Sequence, residues 1–211
     1  HELDPPAGFK TAFQNYGIES ADRAAGPVFQ LLYDSRLNTI NPIEGTYASL
    51  GYRNNVKWLG SDTHWQSLQL DLRKYIRFPQ HSDNTLALWN LNWFTLNGRP
   101  PFLMLPSNGW DENYNSGRGY IQGRFRGRNM LYYEAEYRFK ISGNGLLGGT
   151  VFLNTQTHSS QMFKSYVNLK TAYGVGLRIK FNKYSRSNIC IDYGFGKNGS
   201  RGFAVNLGEI F

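Results

Sequence analysis

The chain alternates apolar and polar residues one by one over segment after segment. In RNMLYYEAEYRFKI one face carries Leu131, Tyr133, Ala135, Tyr137, Phe139 and Ile141, and the other carries Tyr132, Glu134, Glu136, Arg138 and Lys140. A period of two belongs to the β-strand, because successive side chains point to opposite faces of a sheet. The apolar face continues for about ten residues, which is the length that a tilted strand needs to cross a bilayer.

The same alternation predicts about ten strands with no convincing helix between them. They cover roughly residues 8–17, 26–35, 45–54, 65–78, 84–97, 129–142, 146–158, 172–182, 187–196 and 202–211. Short connections alternate with longer ones such as Gly98 to Arg128, a pattern typical of outer-membrane barrels. We therefore predict an all-β fold, an antiparallel transmembrane β-barrel that occupies residues 1–211 as one domain.

A soluble β-sandwich or calycin-like barrel is the alternative fold that fits the same alternation. It would bury the apolar faces and expose the charged ones. The aromatic fraction is 16%, there are 23 glycines, and only 18% of the residues are charged. These values favour contact with an apolar medium, and no run approaches the ~18 apolar residues of a membrane helix.

The residues that could carry chemistry do not form a recognisable active site. The single cysteine, Cys190, excludes an internal disulfide and a cysteine-based metal cluster, and the four histidines are too dispersed to suggest a metal site. GNGLLG at 143–148 matches a dinucleotide fingerprint, but a strand pattern follows it where that motif needs a helix. We expect no enzyme activity, no cofactor and no metal.

The stretch RGYIQGRFRGRN, Arg118 to Asn129, suggests three different roles. Four arginines among glycines and aromatics could form a nucleic-acid arm, a phosphate clamp, or a loop whose arginine is held at a specific place. The net charge of +8 also suggests an anionic partner without selecting one. Because the stretch lies between two strong strand patterns and not in a low-complexity tract, a structured loop is favoured over nucleic-acid binding.

The chain resembles the C-terminal barrel region of the Omp85 superfamily, which includes BamA, TamA and FhaC. Arg118-Gly119-Tyr120 is similar to the family's Arg-Gly-(Phe/Tyr) motif, although Gly117 stands where the family usually has Val or Leu. Asp34-Ser35-Arg36 and the following Asn41 to Gly45 resemble its Asp-x-Arg and Pro-x-x-Gly hairpin. VNLGEIF resembles its closing strand.

The resemblance implies how the loop is held. Arg118, Gly119 and Tyr120 would form the tip of a loop folded into the barrel lumen, with Glu136 paired to Arg118 and Asn154 hydrogen-bonded to it. Asn154 lies where the family usually has an Asp-x-Gly. Gly202, Gly208 and Phe211 would belong to the closing strand. The remaining loop arginines would line the loop or meet lipopolysaccharide phosphates; they are Arg124, Arg126 and Arg128.

The implied function is assistance with the insertion or translocation of proteins at the bacterial outer membrane, without chemistry. A reduced barrel that acts as a pore or as the membrane anchor of a larger assembly is the alternative. Expected partners are outer-membrane lipid, lipopolysaccharide, substrate proteins, accessory subunits or a second copy, but not nucleic acid. The family barrel has sixteen strands and soluble POTRA repeats, and this chain shows neither.

Overall fold

The computed structural model describes residues 22–159, 169–182, 184 and 186–211, and in them it contains one nine-stranded antiparallel sheet. The strands are β1 (Val28–Asp34), β2 (Gly45–Asn55), β3 (Trp65–Arg77), β4 (Thr85–Gly98), β5 (Asn129–Lys140), β6 (Leu147–Ser159), β7 (Lys170–Asn182), β8 (Ser187–Gly196) and β9 (Arg201–Leu207). Each strand pairs with the next in sequence. The all-β prediction is confirmed, and the strand expected at 8–17 lies outside the described residues.

The polar face of the alternation is the buried one. In β5, Glu136 is completely buried while Tyr133 is 49% exposed. Leu153, Val175 and Phe203 are likewise more than half exposed on the opposite, outer face. A water-soluble sandwich would show the reverse arrangement, so this distribution fits a sheet whose outer face meets lipid.

Connections of different kinds lie at the two ends of the sheet. One end, called here the turn end, carries the connections 35–44, 78–84 and 141–146. GNGLLG spans the end of the connection 141–146 and the start of β6, and the turn is closed by a hydrogen bond from the Gly145 amide to the Ser142 carbonyl at 3.0 Å. The opposite end, the loop end, carries the long connection 99–128, called here the arginine loop.

The first and last strands do not pair with each other in the described part of the chain. The segments that follow them meet at the turn end, where the Glu209 amide donates to the Ile40 carbonyl at 3.0 Å. There the side-chain amide of Asn41 also donates to the Arg186 carbonyl at 3.2 Å. The connection 35–44 therefore contacts the segment that follows β9, while neither outer strand has a second neighbour among the described residues.

The last strand is shorter than the sequence predicted, and Phe211 does not lie on its apolar side. β9 ends at Leu207, and Gly208 has a φ of +91° that turns the chain inward. Phe211 is only 3% exposed and stacks on Trp89 with ring centroids 5.0 Å apart. The expectation that Phe211 ends the closing strand is therefore wrong, because its ring is buried within the inner aromatic cluster.

The inner face carries the hydrophobic core and no long helix. The core contains Tyr75, Ala87, Trp89, Leu91, Met130, Tyr132, Ile210 and Phe211. Helical structure among the described residues is limited to three 3-10 turns of three residues each. None of them is long or apolar enough to cross a membrane.

Candidate functional site: the arginine loop on the inner face

The arginine loop has a defined shape that its own polar side chains hold. The Asp111 carboxylate accepts hydrogen bonds from three backbone amides, of which that of Ser116 is the shortest at 2.7 Å. The Asn108 side chain donates to the Ile121 carbonyl at 2.9 Å and accepts from the Phe125 amide at 2.8 Å. Asp and Asn side chains stabilise tight turns in this way. The loop is therefore an ordered part of the fold.

The tip of the loop needs glycine on both sides of Arg118. Gly117 has a φ of +83° and Gly119 a φ of +96°, both in the left-handed region that side-chain-bearing residues rarely adopt. A Cβ at Gly117 would also lie 2.9 Å from the Cβ of Asn108. The backbone conformation therefore explains why glycine stands at position 117, where the family usually has Val or Leu.

Arg118 is buried among three carboxylates. Its side chain is 4% exposed, Nη2 donates to Glu134 and Glu136, and Nη1 donates to Asp192 at 2.6 Å. The guanidinium also lies 3.7 Å from the ring centroid of Phe152, a cation–π distance. Burial alone would lower the pKa of Arg118, but the carboxylates raise it well above its ordinary value, so the loop carries a fixed positive charge.

Two further arginines extend this contact into a network. Arg138 Nε lies 2.5 Å from Glu136 and 3.5 Å from Glu209. Arg178 donates to Asp192 at 2.5 Å and to Glu209 at 2.8 Å. Each of these carboxylates therefore has more than one cationic neighbour, an arrangement in which hydrogen-bonded charges can remain buried.

Glu134 is the carboxylate that depends most on the loop. Its described hydrogen bonds come from Arg118 and from the Tyr132 hydroxyl, with no second arginine. Both Glu134 and Tyr132 are almost completely buried. Removal of the Arg118 charge would leave Glu134 with a single neutral donor.

The structure brings the other predicted loop residues to the same place. Asn154 donates from its side-chain amide to the backbone carbonyl of Arg118 at 2.9 Å, so it holds the tip and not the guanidinium. The Tyr120 hydroxyl donates to the Thr171 carbonyl at 2.7 Å and accepts from the Lys197 amide at 2.9 Å. The loop tip thus contacts β6, β7 and the β8–β9 turn.

Sequence reasoning missed several members of the network. Glu134, Phe152, Arg178 and Asp192 all have inward positions in the alternation, and Asp192 is the one acidic residue of its strand. Glu209 follows the last strand, so the alternation does not indicate where its side chain lies. The alternation already places Glu134 on the polar face of its strand and gives the other three an inward phase, but only the paired strands show that the four residues meet in one network.

Comparisons with known proteins agree with this geometry. The model of the Omp85 superfamily domain matches residues 23–211. The chain belongs to the Omp85 superfamily. A search of curated protein sequences finds no match.

A solved structure shows the same fold as this Omp85 domain. It is the crystal structure of BamA from Haemophilus ducreyi lacking POTRA domains 1–3, with a TM-score of 0.64 and 15% sequence identity. The match covers 85% of this chain and 40% of that chain. The domain therefore spans less than half the length of that BamA chain, and the likeness establishes the fold.

In this Omp85 domain, glycines on the inner face let the loop tip rest directly on the wall. A Cβ at Gly194 would lie 2.8 Å from the Gly119 Cα, and a Cβ at Gly202 would lie 3.0 Å from the Gly119 nitrogen. A Cβ at Gly196 would lie 2.5 Å from the Tyr120 ring. We call Gly194, Gly196 and Gly202 the glycine socket. Gly202 lies in β9, so the socket brings the loop into contact with the last strand, whereas Gly208 lies beyond it.

The other loop arginines are engaged within the domain. Arg124 donates to the Ser200 hydroxyl at 2.9 Å, and Arg128 donates to the Gly98 carbonyl at 2.5 Å. Arg126 donates to the Phe102 carbonyl at 2.8 Å, and burial lowers its pKa. These contacts give each arginine a structural role and do not favour a nucleic-acid arm.

In the hairpin motif near the start of the chain, Asp34 and Arg36 form an ion pair at the turn end of the sheet. Arg36 donates to both carboxylate oxygens of Asp34, at 2.9 and 2.8 Å, and its guanidinium lies 4.6 Å from the Tyr47 ring centroid. Gly45 has a φ of +123° where the chain enters β2. Within the described part of the chain, no cluster of His, Cys, Asp or Glu is arranged to hold a metal ion.

Proposed function

We propose that this domain is the membrane part of an outer-membrane Omp85-type protein that assists the insertion or translocation of other proteins. The observation that carries the proposal is the buried Arg118 loop tip, which is fixed on the inner face and rests against the last strand. Family membership supports an outer-membrane location and a role without chemistry.

The free edge of β9 supports a mechanism based on strand addition. β9 pairs with β8 over residues 201–207 and has no second neighbour in the described sheet. Phe203, Val205 and Leu207 point away from the inner face and are 58–72% exposed. An extended segment of a client protein could add to this edge through backbone hydrogen bonds and continue the same apolar surface.

The arginine loop would give this edge a rigid support. Gly119 lies against Gly202 of β9, while Arg118 is held by carboxylates on β5 and β8. The proposed role of the loop is thus to hold the β8–β9 pair while the outer edge of β9 exchanges.

The proposed partners follow from the same surfaces. The exposed apolar outer face would contact outer-membrane lipid, and lipopolysaccharide would meet the rim at the loop end. Client proteins would meet the β9 edge. Accessory subunits or a second copy are further proposed partners, while nucleic acid is not.

A pore or membrane anchor is the second candidate function, and the contacts on the inner face favour it less. An anion-selective pore would need basic side chains on the inner face that have no carboxylate partner. Arg73 is ion-paired with Asp71 at 2.6 Å, and Arg178 with Asp192 at 2.5 Å. The inner face is also occupied by the arginine loop and by Phe211.

The test is reconstitution of the natural protein that contains this domain in lipid vesicles, followed by addition of a urea-denatured outer-membrane barrel as client. Val205→Cys places a thiol at the β9 edge, and Leu153→Cys places an equally exposed thiol in the middle of the sheet. We expect faster client insertion and a crosslink to the client from position 205 but not from position 153. Ion conductance without accelerated insertion would favour the pore, and neither activity would contradict both candidates.

A further inference from the structure

A cavity of about 310 Å³ lies at the turn end, away from the loop tip. The connections 35–44, 78–84 and 141–146 contribute to its wall, together with the adjoining ends of β5, β6 and β7. Its lining is balanced between polar side chains and apolar ones such as Ile43 and Leu146. The proposed insertion mechanism makes no use of this cavity.

A missing side chain explains why space is left there. Gly148 of β6 pairs with Lys140 of β5 on one side and with Arg178 of β7 on the other. All three positions share the inner face of the sheet, and glycine contributes no side chain to it. The two long basic side chains therefore stand on either side of a bare stretch of backbone.

The cavity is lined by five basic side chains and two acidic ones. The basic residues are Arg138, Lys140, Arg178, Lys180 and Arg186, and the acidic residues are Asp83 and Glu209. The basic residues come from β5, β7 and the turn that precedes β8, so the positive charges surround the space from several directions. Such an excess of one sign in a partly enclosed space attracts an ion of the opposite sign.

Some of these cations already have partners, and others do not. Lys140 pairs with Asp83, and Arg178 with Glu209. Lys180 forms no hydrogen bond or ion pair from its side chain with a described residue, and its Nζ lies 3.9 Å from the Cβ position of Gly145. Arg138 is almost fully buried and is paired with Glu136, so that only its Nη1 has no described partner.

We propose that this cavity binds a phosphate group, with Lys180 as its principal unpaired cation and Lys140 as a second. A tetrahedral phosphate carries up to two charges and accepts hydrogen bonds from several directions, which fits cations that converge from different strands. A single carboxylate is planar and would satisfy fewer of them. The volume exceeds that of one phosphate and leaves room for the glycerol or other group attached to it.

The phosphate could belong to a phospholipid headgroup or to a small soluble compound. Leu146 and Leu147, at the rim, are each 41% exposed and would suit the apolar part of a lipid. The two sources share the same recognition chemistry and differ in whether a membrane must be present. The experiment therefore has two arms.

The first arm titrates the protein in a neutral detergent with inorganic phosphate and with glycerol phosphate, and measures binding by calorimetry. The second arm places the protein in nanodiscs of phosphatidylcholine alone or with phosphatidylglycerol, and counts retained lipids by native mass spectrometry. Lys180→Gln is the test variant. Lys170→Gln is its control, because it removes the same charge from the opposite end of the same strand.

We expect Lys180→Gln to weaken binding roughly fivefold, which is what one charge about 4 Å away contributes when water screens it. Lys170→Gln should bind as the unchanged protein does. Binding in the first arm alone identifies a soluble phosphate, and retention of phosphatidylglycerol in the second arm identifies a headgroup, whether or not the first arm also shows binding. Absence of binding in both arms, or equal loss in the two variants, would overturn the proposal.

Discussion

Arg118→Ala should be among the most destabilising single substitutions in this domain. The arginine side chain is 4% exposed and contacts three carboxylates that are themselves 0–2% exposed. Removal of one partner from a buried charge cluster costs about 3 to 5 kcal/mol, because the remaining charge stays buried without compensation. Arg118→Lys should restore little of this, since a lysine ammonium cannot reproduce the two-pronged guanidinium contact.

The structure indicates where that loss of stability arises. Glu136 and Asp192 keep Arg138 or Arg178 as partners, whereas Glu134 keeps only the Tyr132 hydroxyl. Neutralisation of Glu134 in the double variant Arg118→Ala/Glu134→Gln should therefore recover about 1 to 3 kcal/mol, the cost of a buried polar group without a partner. Glu134→Gln alone should be destabilising because it weakens the contact with Arg118.

The assay is reversible urea unfolding of the domain folded into lipid vesicles, combined with protease treatment of intact membranes. The loop 99–128 should become cleavable in the Arg118 variants. Arg124→Ala is the control, because its side chain is exposed and donates to Ser200 alone, so it should cost about 1 kcal/mol or less and leave the loop protected. Equal stability of Arg118→Ala and the unchanged protein would refute the argument, and a double variant no more stable than the single one would refute the role of Glu134.

Three other substitutions test separate parts of the structure by the same unfolding assay. Leu153→Arg should cost about 2 to 4 kcal/mol if the outer face meets lipid, whereas Leu37→Arg, in an exposed turn, should be nearly silent. Gly196→Ala should cost about 1 to 3 kcal/mol through a clash with the loop tyrosine, while Gly143→Ala meets no atom within 4 Å and serves as its control. Phe211→Ala should cost about 3 to 5 kcal/mol, and a neutral result would mean that the terminal ring does not pack inside.

The strands themselves could be predicted from the sequence with few errors. β5 was expected at 129–142 and is observed at Asn129–Lys140, and β8 agrees at both ends. The alternation has a local cause, because each extended residue places its side chain opposite to that of its neighbour. The Arg-Gly-Tyr tip could also be predicted, because the sequence resembles the family's motif there, and the structure adds that Gly119 has a left-handed conformation.

The partners of Arg118 could be predicted only in part. Glu136 was expected because the family resemblance implies a glutamate partner on the strand after the loop, but Asp192 lies 74 residues away from Arg118 in sequence. Glu209 was missed because it follows a strand that ends earlier than expected. Contacts between residues so far apart depend on how the strands pair, which no local pattern records.

The sequence by itself determined that the chain forms long strands with two chemically different faces, because alternation is a property of neighbouring residues. It did not determine which face is buried, since a soluble sandwich and a membrane barrel use the same period. The tertiary structure decided this by folding the arginine loop onto the polar face, where paired charges replace the water that Arg118 loses. It also decided the position of Phe211, because the inward turn at Gly208 brings its ring against the aromatic rings of β3 and β4 and its carbonyl within reach of Arg138.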